Sequence, residues 1–297
     1  MGGTQFVGEA VARYFIEKGY SVSILTRGFL QTRYTGLAYH YFGNREYAKS
    51  INIPPKVRFD VIIDISAYTP KHIVSIFESV TVSPTTRYIM CSSGAVYLPS
   101  NRPLTESSPT GINSFWGNYG INKLLAEEAL IRYGRKLGFN YTIFRPSYFY
   151  GPGNNLEREI QLFRKMSEQK EIKYPKSNSR VQFIYIDDFV KLIDSSIHSE
   201  AAKNNIYNAT NPQEIGWDEW IATIAAVSSC TPKLSPQMQS SVLHAKEYFP
   251  FRDYTYLLSG RKVEQDGLLV PSTSLINGLK STYDWFCQSE NIRPESN

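Results

Sequence analysis

The first 26 residues limit the folds open to this chain more than any other stretch. Met1-Gly2-Gly3-Thr4-Gln5-Phe6-Val7-Gly8 is a glycine-rich turn running straight into Glu9–Lys18, where Val7, Val11, Phe15 and Ile16 recur at helical spacing. Gly19 stands where a helix C-cap belongs. Tyr20–Thr26 (YSVSILT) then reads as a short, apolar, β-branched strand. Turn, helix and strand in that order form the second half of a βαβ dinucleotide unit, whose helix start offers free N–H groups and a positive dipole end to a pyrophosphate.

Strand and helix patterns continue to alternate to about residue 150, as a parallel sheet with crossover helices requires. Strands are expected over 20–26, 37–42, 60–66, 87–92 and 140–145. A helix is expected over 117–137, stopping near Gly138, with Leu124, Leu125, Ala129, Leu130 and Tyr133 facing the core. Phe183–Ile186 reads as a short strand and Asp187–Ile197 as a helix with an acidic start. Beyond residue 209, prolines 212, 232, 236, 250 and 271 punctuate short helices such as Trp217–Ser228. The fold class is therefore α/β: a Rossmann-type, doubly wound parallel sheet with a smaller C-terminal substrate lobe. The dinucleotide-binding part is expected over 1–147 plus 180–208, the substrate-binding lobe over 148–179 and 209–290, and a loose tail over 291–297.

Because the sequence begins on the glycine loop, the first strand of the βαβ unit is missing from it. In a doubly wound sheet that strand is central and buried on both faces. The expectation is that Met1 is an internal methionine preceded by about six apolar residues, the usual length of a strand.

Tyr119-Gly-Ile-Asn-Lys123 places a tyrosine and a lysine one helical turn apart on one face. A phenol of pKa about 10 is a poor base at neutral pH, and a fixed ammonium beside it favours the phenolate. Ser92-Ser93 upstream could supply a hydroxyl to orient the substrate oxygen whose proton the phenol takes or gives. Such a set moves a hydride to or from a carbinol carbon.

These residues, in this order, resemble the extended short-chain dehydrogenase/reductases, specifically the NAD-dependent epimerase/dehydratase family, over nearly the whole length. Gly2, Gln5 and Gly8 fall on its Gly-x-x-Gly-x-x-Gly, with Gln5 replacing the middle glycine. Asp60–Ala67 is similar to the strand behind the nicotinamide. Cys91-Ser-Ser-Gly-Ala-Val-Tyr97 resembles the catalytic serine strand, with Ser93 in the catalytic place. Arg145-Pro-Ser147 and Tyr150-Gly-Pro-Gly153 resemble the segment joining cofactor and substrate sites. Arg180–Asp188 is similar to the return segment, and Tyr207-Asn-Ala209 to the strand end after it.

The resemblance implies Ser93, Tyr119 and Lys123 as catalytic residues. It implies a cofactor site of Gly2, Thr4, Gln5, Phe6, Val7, Gly8, Thr26, Arg27, Ser66, Ala67, Tyr119, Lys123 and Pro146. Ser93, Arg180 (a phosphate clamp, or else paired with Asp187 or Asp188) and Asn208 are implied at the substrate. The cofactor is NAD or NADP. Thr26-Arg27 stands where an acidic residue would hold the NAD ribose diol, so Arg27 points to NADP, unless it stacks on adenine or faces solvent. The substrate implied is a small molecule, a nucleotide-sugar, and α-helical pairing into a homodimer is a further implication. Gly94-Ala95 replaces the Asp-Glu pair of sugar 4,6-dehydratases, which leaves epimerase or reductase. Two alternatives stay open: a reductase of a non-sugar carbonyl, and a non-catalytic RNA- or partner-binding relative, because Gly-Gly-Thr-Gln-Phe-Val-Gly also resembles a subgroup that includes chloroplast stem-loop RNA-binding proteins.

Composition excludes other classes. No run reaches the roughly 18 apolar residues of a membrane span, and no signal peptide is expected. Three scattered cysteines (Cys91, Cys230, Cys287) fit a reducing cytoplasm, with Cys91 read as a packed strand residue rather than a nucleophile. His40, His72, His198 and His244 form no metal-ligand spacing, so no metal is expected. A net charge of +5 suits anionic ligands but is too dispersed to argue for nucleic acid. Tyr248, Phe249, Phe251, Tyr254 and Tyr256 could wall a pocket, though core packing is the stronger expectation for any single one.

Overall fold

Six parallel strands lie in one row, but the row is broken after its second member. The computed structural model describes residues 1–238 and 244–290; the tail expected over 291–297 lies outside them. In chain order the elements are α1 (Phe6–Glu17), β1 (Ser23–Thr26), β2 (Tyr39–Phe42), β3 (Val61–Asp64), α2 (Pro70–Ser79), β4 (Arg87–Cys91), α3 (Asn118–Leu137), β5 (Asn140–Pro146), β6 (Tyr148–Tyr150), α4 (Arg158–Ser167), β7 (Glu171–Pro175), β8 (Phe183–Tyr185), α5 (Ile186–Ile197), β9 (Asn205–Ala209), α6 (Trp217–Ser228), β10 (Lys233–Gln237), α7 (Arg261–Gln265) and α8 (Leu275–Ser289). β1 pairs with β2; β3, β4, β5 and β9 form a second parallel sheet in that order. Two small parallel pairs, β6 with β8 and β7 with β10, lie outside these sheets.

The elements follow from their residues. β4 is buried at every position (RYIMC), as a strand covered by helices on both faces must be. α1 ends as expected, with Gly19 left-handed at φ +84° and its N–H donating to Ile16 O. α3 ends on Gly138 at φ +77°. One apolar expectation on α3 fails: Leu125 is exposed, while Ala126 and Ala129 are buried beside a buried line of Gly120, Lys123, Glu127, Leu130 and Gly134, the positions that set the face. Those positions step by three and four, whereas Leu125 lies two residues from Lys123, about 200° round the helix. The five C-terminal aromatics divide: Phe249, Phe251, Tyr254 and Tyr256 are buried in the main core, while Tyr248 is only half-buried beside it.

The break in the row falls between β1 and β3. Among the described residues, only residues 1 and 2 cross it: Met1 N donates to Ile63 O, Ile65 N donates to Met1 O at 3.2 Å, and Gly2 N donates to Leu25 O at 3.1 Å. Behind them lies a cavity of about 700 Å³ lined by Val11, Ala12, Phe15, Ile24, Val61 and Ile63, among others.

Candidate active site

The C-terminal ends of β1, β2 and β3 and the start of α1 enclose a cavity of about 490 Å³. The glycine loop forms one wall, and its glycines are required by geometry. Gly3 has φ +130°, and a Cβ there would lie 2.7 Å from Ile24 Cγ2. A Cβ on Gly8 would lie 2.6 Å from the Gly3 nitrogen, so helix and loop meet backbone to backbone. Gln5 precedes α1 and makes no side-chain capping bond, which leaves its exposed amide on the cavity wall. Phe6 takes φ 39°, a left-handed conformation rare outside glycine. A glycine cradle closed against a helix N-terminus fits a dinucleotide pyrophosphate.

Of the residues named from the sequence, Gly2, Thr4, Gln5, Phe6, Val7, Gly8, Thr26, Arg27 and Ser66 line this one cavity. Thr26 Oγ1 is 2.8 Å from His40 Nε2 and accepts from Gly28 N at 3.2 Å. The Arg27 guanidinium stacks over Phe29 at 5.1 Å, and both are exposed. Arg45, absent from the sequence reading, also lines the cavity but is held by Asp64 through two bonds of 2.7 and 2.5 Å. Asp64 is fully buried and accepts further from Tyr88 Oη at 2.6 Å and Ala67 N at 2.9 Å. Arg45 and these donors hold its carboxyl far below the usual carboxylate range, against the cost of burial.

Ala67, Ser93, Tyr119, Lys123 and Pro146 stand beyond that cavity, around the ends of β3, β4 and β5. Lys123 is buried, and its Nζ donates to Ala67 O at 2.7 Å and Cys91 O at 2.8 Å. Those bonds pin α3 across the ends of β3 and β4 and leave one ammonium proton uncommitted. Gly120 lets the helix come close, because a Cβ there would lie 2.2 Å from Ala95 O. Ser93 precedes the 94–96 turn, and its Oγ accepts from Ala95 N at 3.1 Å. Tyr119 is half-buried, with its ring 5.7 Å from that of Tyr68 and 5.8 Å from Trp116. Cys91 is buried, which pushes its thiol up to about 11, as suits a packing residue.

Behind Ser93, Arg145 and Glu127 form a buried ion pair at 2.6 Å, to which Ser92 Oγ also donates. Pro146 is buried, and its carbonyl accepts from Tyr256 Oη at 3.4 Å.

Two substrate expectations meet other demands. Asn208 is fully buried: its Oδ1 accepts from Tyr97 Oη at 2.8 Å and its Nδ2 donates to Leu104 O at 2.8 Å. Its amide is spent on packing β9, which removes it from the substrate list. Arg180 pairs with neither Asp187 nor Asp188. Its Nη2 donates to Glu214 O at 2.6 Å, and Nη1 lies 3.7 Å from Glu219.

The sequence reading missed a cationic group from three separate segments. Arg158, at the start of α4, stacks over Tyr148 at 5.1 Å and Phe251 at 5.6 Å. Arg252 stacks over Trp116 at 4.1 Å, and its Nε donates to Phe115 O. Lys246 Nζ donates to Pro250 O at 2.8 Å. Burial, then repulsion from Arg158 and Arg252, lowers the Lys246 pKa. Among the described residues none of the three makes an ion pair; the neighbouring Glu159 carboxylate is taken by Asn154 and Gly151 N. Tyr119 and Arg158 are close enough to interact electrostatically.

Fold and site together define an α/β protein with a glycine-walled cavity at a helix N-terminus and with Ser93 and Lys123 at the neighbouring strand ends. The profile of the NAD dependent epimerase/dehydratase family matches residues 1–210, and the chain belongs to that family. In sequence it is 24% identical over 308 aligned residues to the chloroplast stem-loop binding protein of 41 kDa b of Arabidopsis thaliana, covering 96% of this chain and 77% of that one. In structure it resembles UDP-glucose 4-epimerase with UDP-glucose from Thermotoga maritima, at 18% identity and TM-score 0.77, covering 97% of this chain and 98% of that one. It also resembles UDP-glucuronic acid 4-epimerase from Bacillus cereus in complex with UDP-glucuronic acid and NAD, at 14% identity and TM-score 0.74, covering 97% and 98%. No helix among the described residues is long and apolar enough to cross a membrane.

Proposed function

We propose that this chain is an NAD(P)-dependent epimerase or reductase acting at a carbinol or ketone carbon of a nucleotide-sugar. The observation that carries the reading is the seating of Lys123 on the carbonyls of Ala67 and Cys91. It ties Tyr119 to the strand ends that border the glycine cradle and Ser93. Bound there, the nicotinamide supplies or accepts hydride. Tyr119 exchanges the proton of the reacting oxygen, Ser93 orients that oxygen, and the remaining Lys123 proton is free to hold a ribose hydroxyl beside the phenol. The unneutralised cluster of Arg158, Lys246 and Arg252 supports a substrate carrying at least two negative charges, as a nucleoside diphosphate does. Arg27, the exposed cation at the adenosine end of the cavity, supports NADP over NAD.

The test is cofactor binding by fluorescence, followed by turnover with UDP-, dTDP- and GDP-sugars for the chain and for Tyr119→Phe. Turnover lost in the variant with cofactor affinity kept supports the reading. A tyrosine variant that turns over normally refutes the role of Tyr119. An Arg27→Ala protein that loses NADPH but not NADH affinity supports the NADP preference, and tighter NADH binding by the unsubstituted chain rejects it. The second reading, an RNA-binding relative, is favoured by the match along nearly the full chain to a stem-loop binding protein. Cofactor binding without turnover on any sugar, together with salt-sensitive RNA retention, would select it.

A further inference from the structure

Tyr119 lies in an uncapped first turn. It is the second residue of α3, which follows Gly117 at φ +52° and has no side-chain capping bond. The first N–H groups of a helix have no partner within it, so such a turn is held by whatever packs on it. Lys123 is fixed one turn later by Ala67 O and Cys91 O, but those bonds set the helix and not the phenol. The phenol has two ring neighbours of its own: Tyr68 at 5.7 Å and 25°, and Trp116 at 5.8 Å and 40°.

Each of those rings is held in turn. The Tyr68 backbone N–H donates to His72 Nδ1 at 3.2 Å, and His72 Nε2 bonds Glu46 Oε1. Trp116 is held from far along the sequence: its Nε1 donates to Tyr254 Oη at 2.5 Å, and the Arg252 guanidinium lies over its ring at 4.1 Å. Arg252 Nε donates to Phe115 O, and the Tyr254 ring stacks on Phe115 at 4.0 Å and 5°. Residues 252 and 254 therefore grip both 115 and 116. Asn113 closes the loop from within, its Nδ2 donating to Tyr97 O and its Oδ1 accepting from Phe115 N. Phe115 is exposed and Trp116 half-buried, so these contacts place the loop more than they fill the core.

We propose that Trp116 is a positioning residue for the Tyr119 phenol, and that Arg252 and Tyr254 set it. Arg252 also ties this clamp to the substrate. Its Nε is spent on Phe115 O, while its Nη groups donate to no acceptor among the described residues and stand in the cationic group with Arg158 and Lys246. An anion that accepts from those Nη groups fixes the guanidinium over Trp116, so binding firms the ring beside the phenol. The inference rests on the catalytic reading of Tyr119 given above.

The experiment uses two variants that leave Trp116 and Tyr119 in place. Tyr254→Phe keeps the stack on Phe115 and removes the acceptor of Trp116 Nε1; Arg252→Lys keeps the charge and removes the planar fork. Kinetics are measured with whichever of UDP-, dTDP- and GDP-glucose the unsubstituted chain turns over. Fluorine NMR is recorded on protein carrying 3-fluorotyrosine, with the Tyr119 resonance assigned by its loss in Tyr119→Phe. Both variants are expected to lower kcat about tenfold with KM within about threefold, and to broaden or split the Tyr119 resonance. Added UDP is expected to narrow that resonance in the unsubstituted chain; no effect of UDP removes the link through Arg252. An unchanged resonance in both variants overturns the proposal, as does a normal kcat in both when Tyr119→Phe is inactive. If Tyr119→Phe turns over normally, or the chain turns over none of the three sugars, the catalytic reading fails instead, and the resonance alone decides whether the clamp holds the ring.

Discussion

Lys123 reaches the carbonyl oxygen of Ala67 at 2.7 Å, a bond between residues 56 positions apart that no local motif encodes. With the companion bond to Cys91 O, it makes one ammonium the junction of β3, β4 and α3. Replacing Lys123 with Met leaves two buried carbonyls without a donor, at about 1–3 kcal/mol each. Lys123→Met is expected to lower stability in urea titration by about 2–4 kcal/mol and turnover by at least about 100-fold. A stable variant with normal turnover would show that the lysine does neither job.

The Glu127–Arg145 pair gives a second prediction. Both side chains are almost fully buried, and Arg145 also stacks on Tyr97 at 4.8 Å. Removing one partner strands the other's charge, so Arg145→Ala is expected to cost about 3–5 kcal/mol. Arg145→Met combined with Glu127→Leu should cost less than the two single losses added together, because no charge is left unpaired. Additive costs in a double-mutant cycle would show that the pair is not coupled.

In a protein prepared to start at Met1, the free amino group predicts a pH dependence. Burial pulls it from its ordinary 8.0 to about 6, with Asp64 opposing and Arg45 assisting. Between those values the unfolded chain binds the proton and the folded chain does not, so stability rises with pH from 6 to 8 and falls as pH drops. The full effect of about two pKa steps is near 3 kcal/mol. Unfolding titrations at pH 6 and pH 8, on chains with free and acetylated amino termini, should differ, and only the free amine should show this pH dependence. Identical pH dependence in both would place the amine in water.

Several parts of this arrangement were legible because local rules govern them. The glycine loop, α1 and β1 follow from residues adjacent in sequence, and Gly19 and Gly138 mark helix ends that only a left-handed residue can make. Tyr119 and Lys123 declare themselves by a one-turn spacing. Asn208 misled because a strand-end motif fixes its position but not the direction of its amide, which Tyr97 and Leu104 take. Leu125 misled because a leucine was counted into a stripe that its angle excludes. Arg158, Lys246 and Arg252 had no signal at all: they come from α4 and two later segments, and only tertiary packing brings them together. A search for basic residues flanked by aromatics would have found Arg252 but not its partners.

That cluster supports the last prediction. Arg158 and Arg252 rest on aromatic faces and burden Lys246 with their charge. Like charges held together without an anion oppose folding, and a bound diphosphate would relieve them. Arg158→Met keeps the apolar stem over Tyr148 and removes only the charge. It is expected to leave Tm unchanged or slightly raised, and to raise KM for a nucleotide-sugar about tenfold or more while kcat stays within a few-fold. The unsubstituted protein should lose substrate affinity as salt rises, and the variant should lose less, because fewer charges are screened. Michaelis constants at low and high ionic strength for both proteins decide it. An Arg158→Met protein with unchanged KM and the same salt slope would mean that the cluster meets its anion elsewhere than on the substrate.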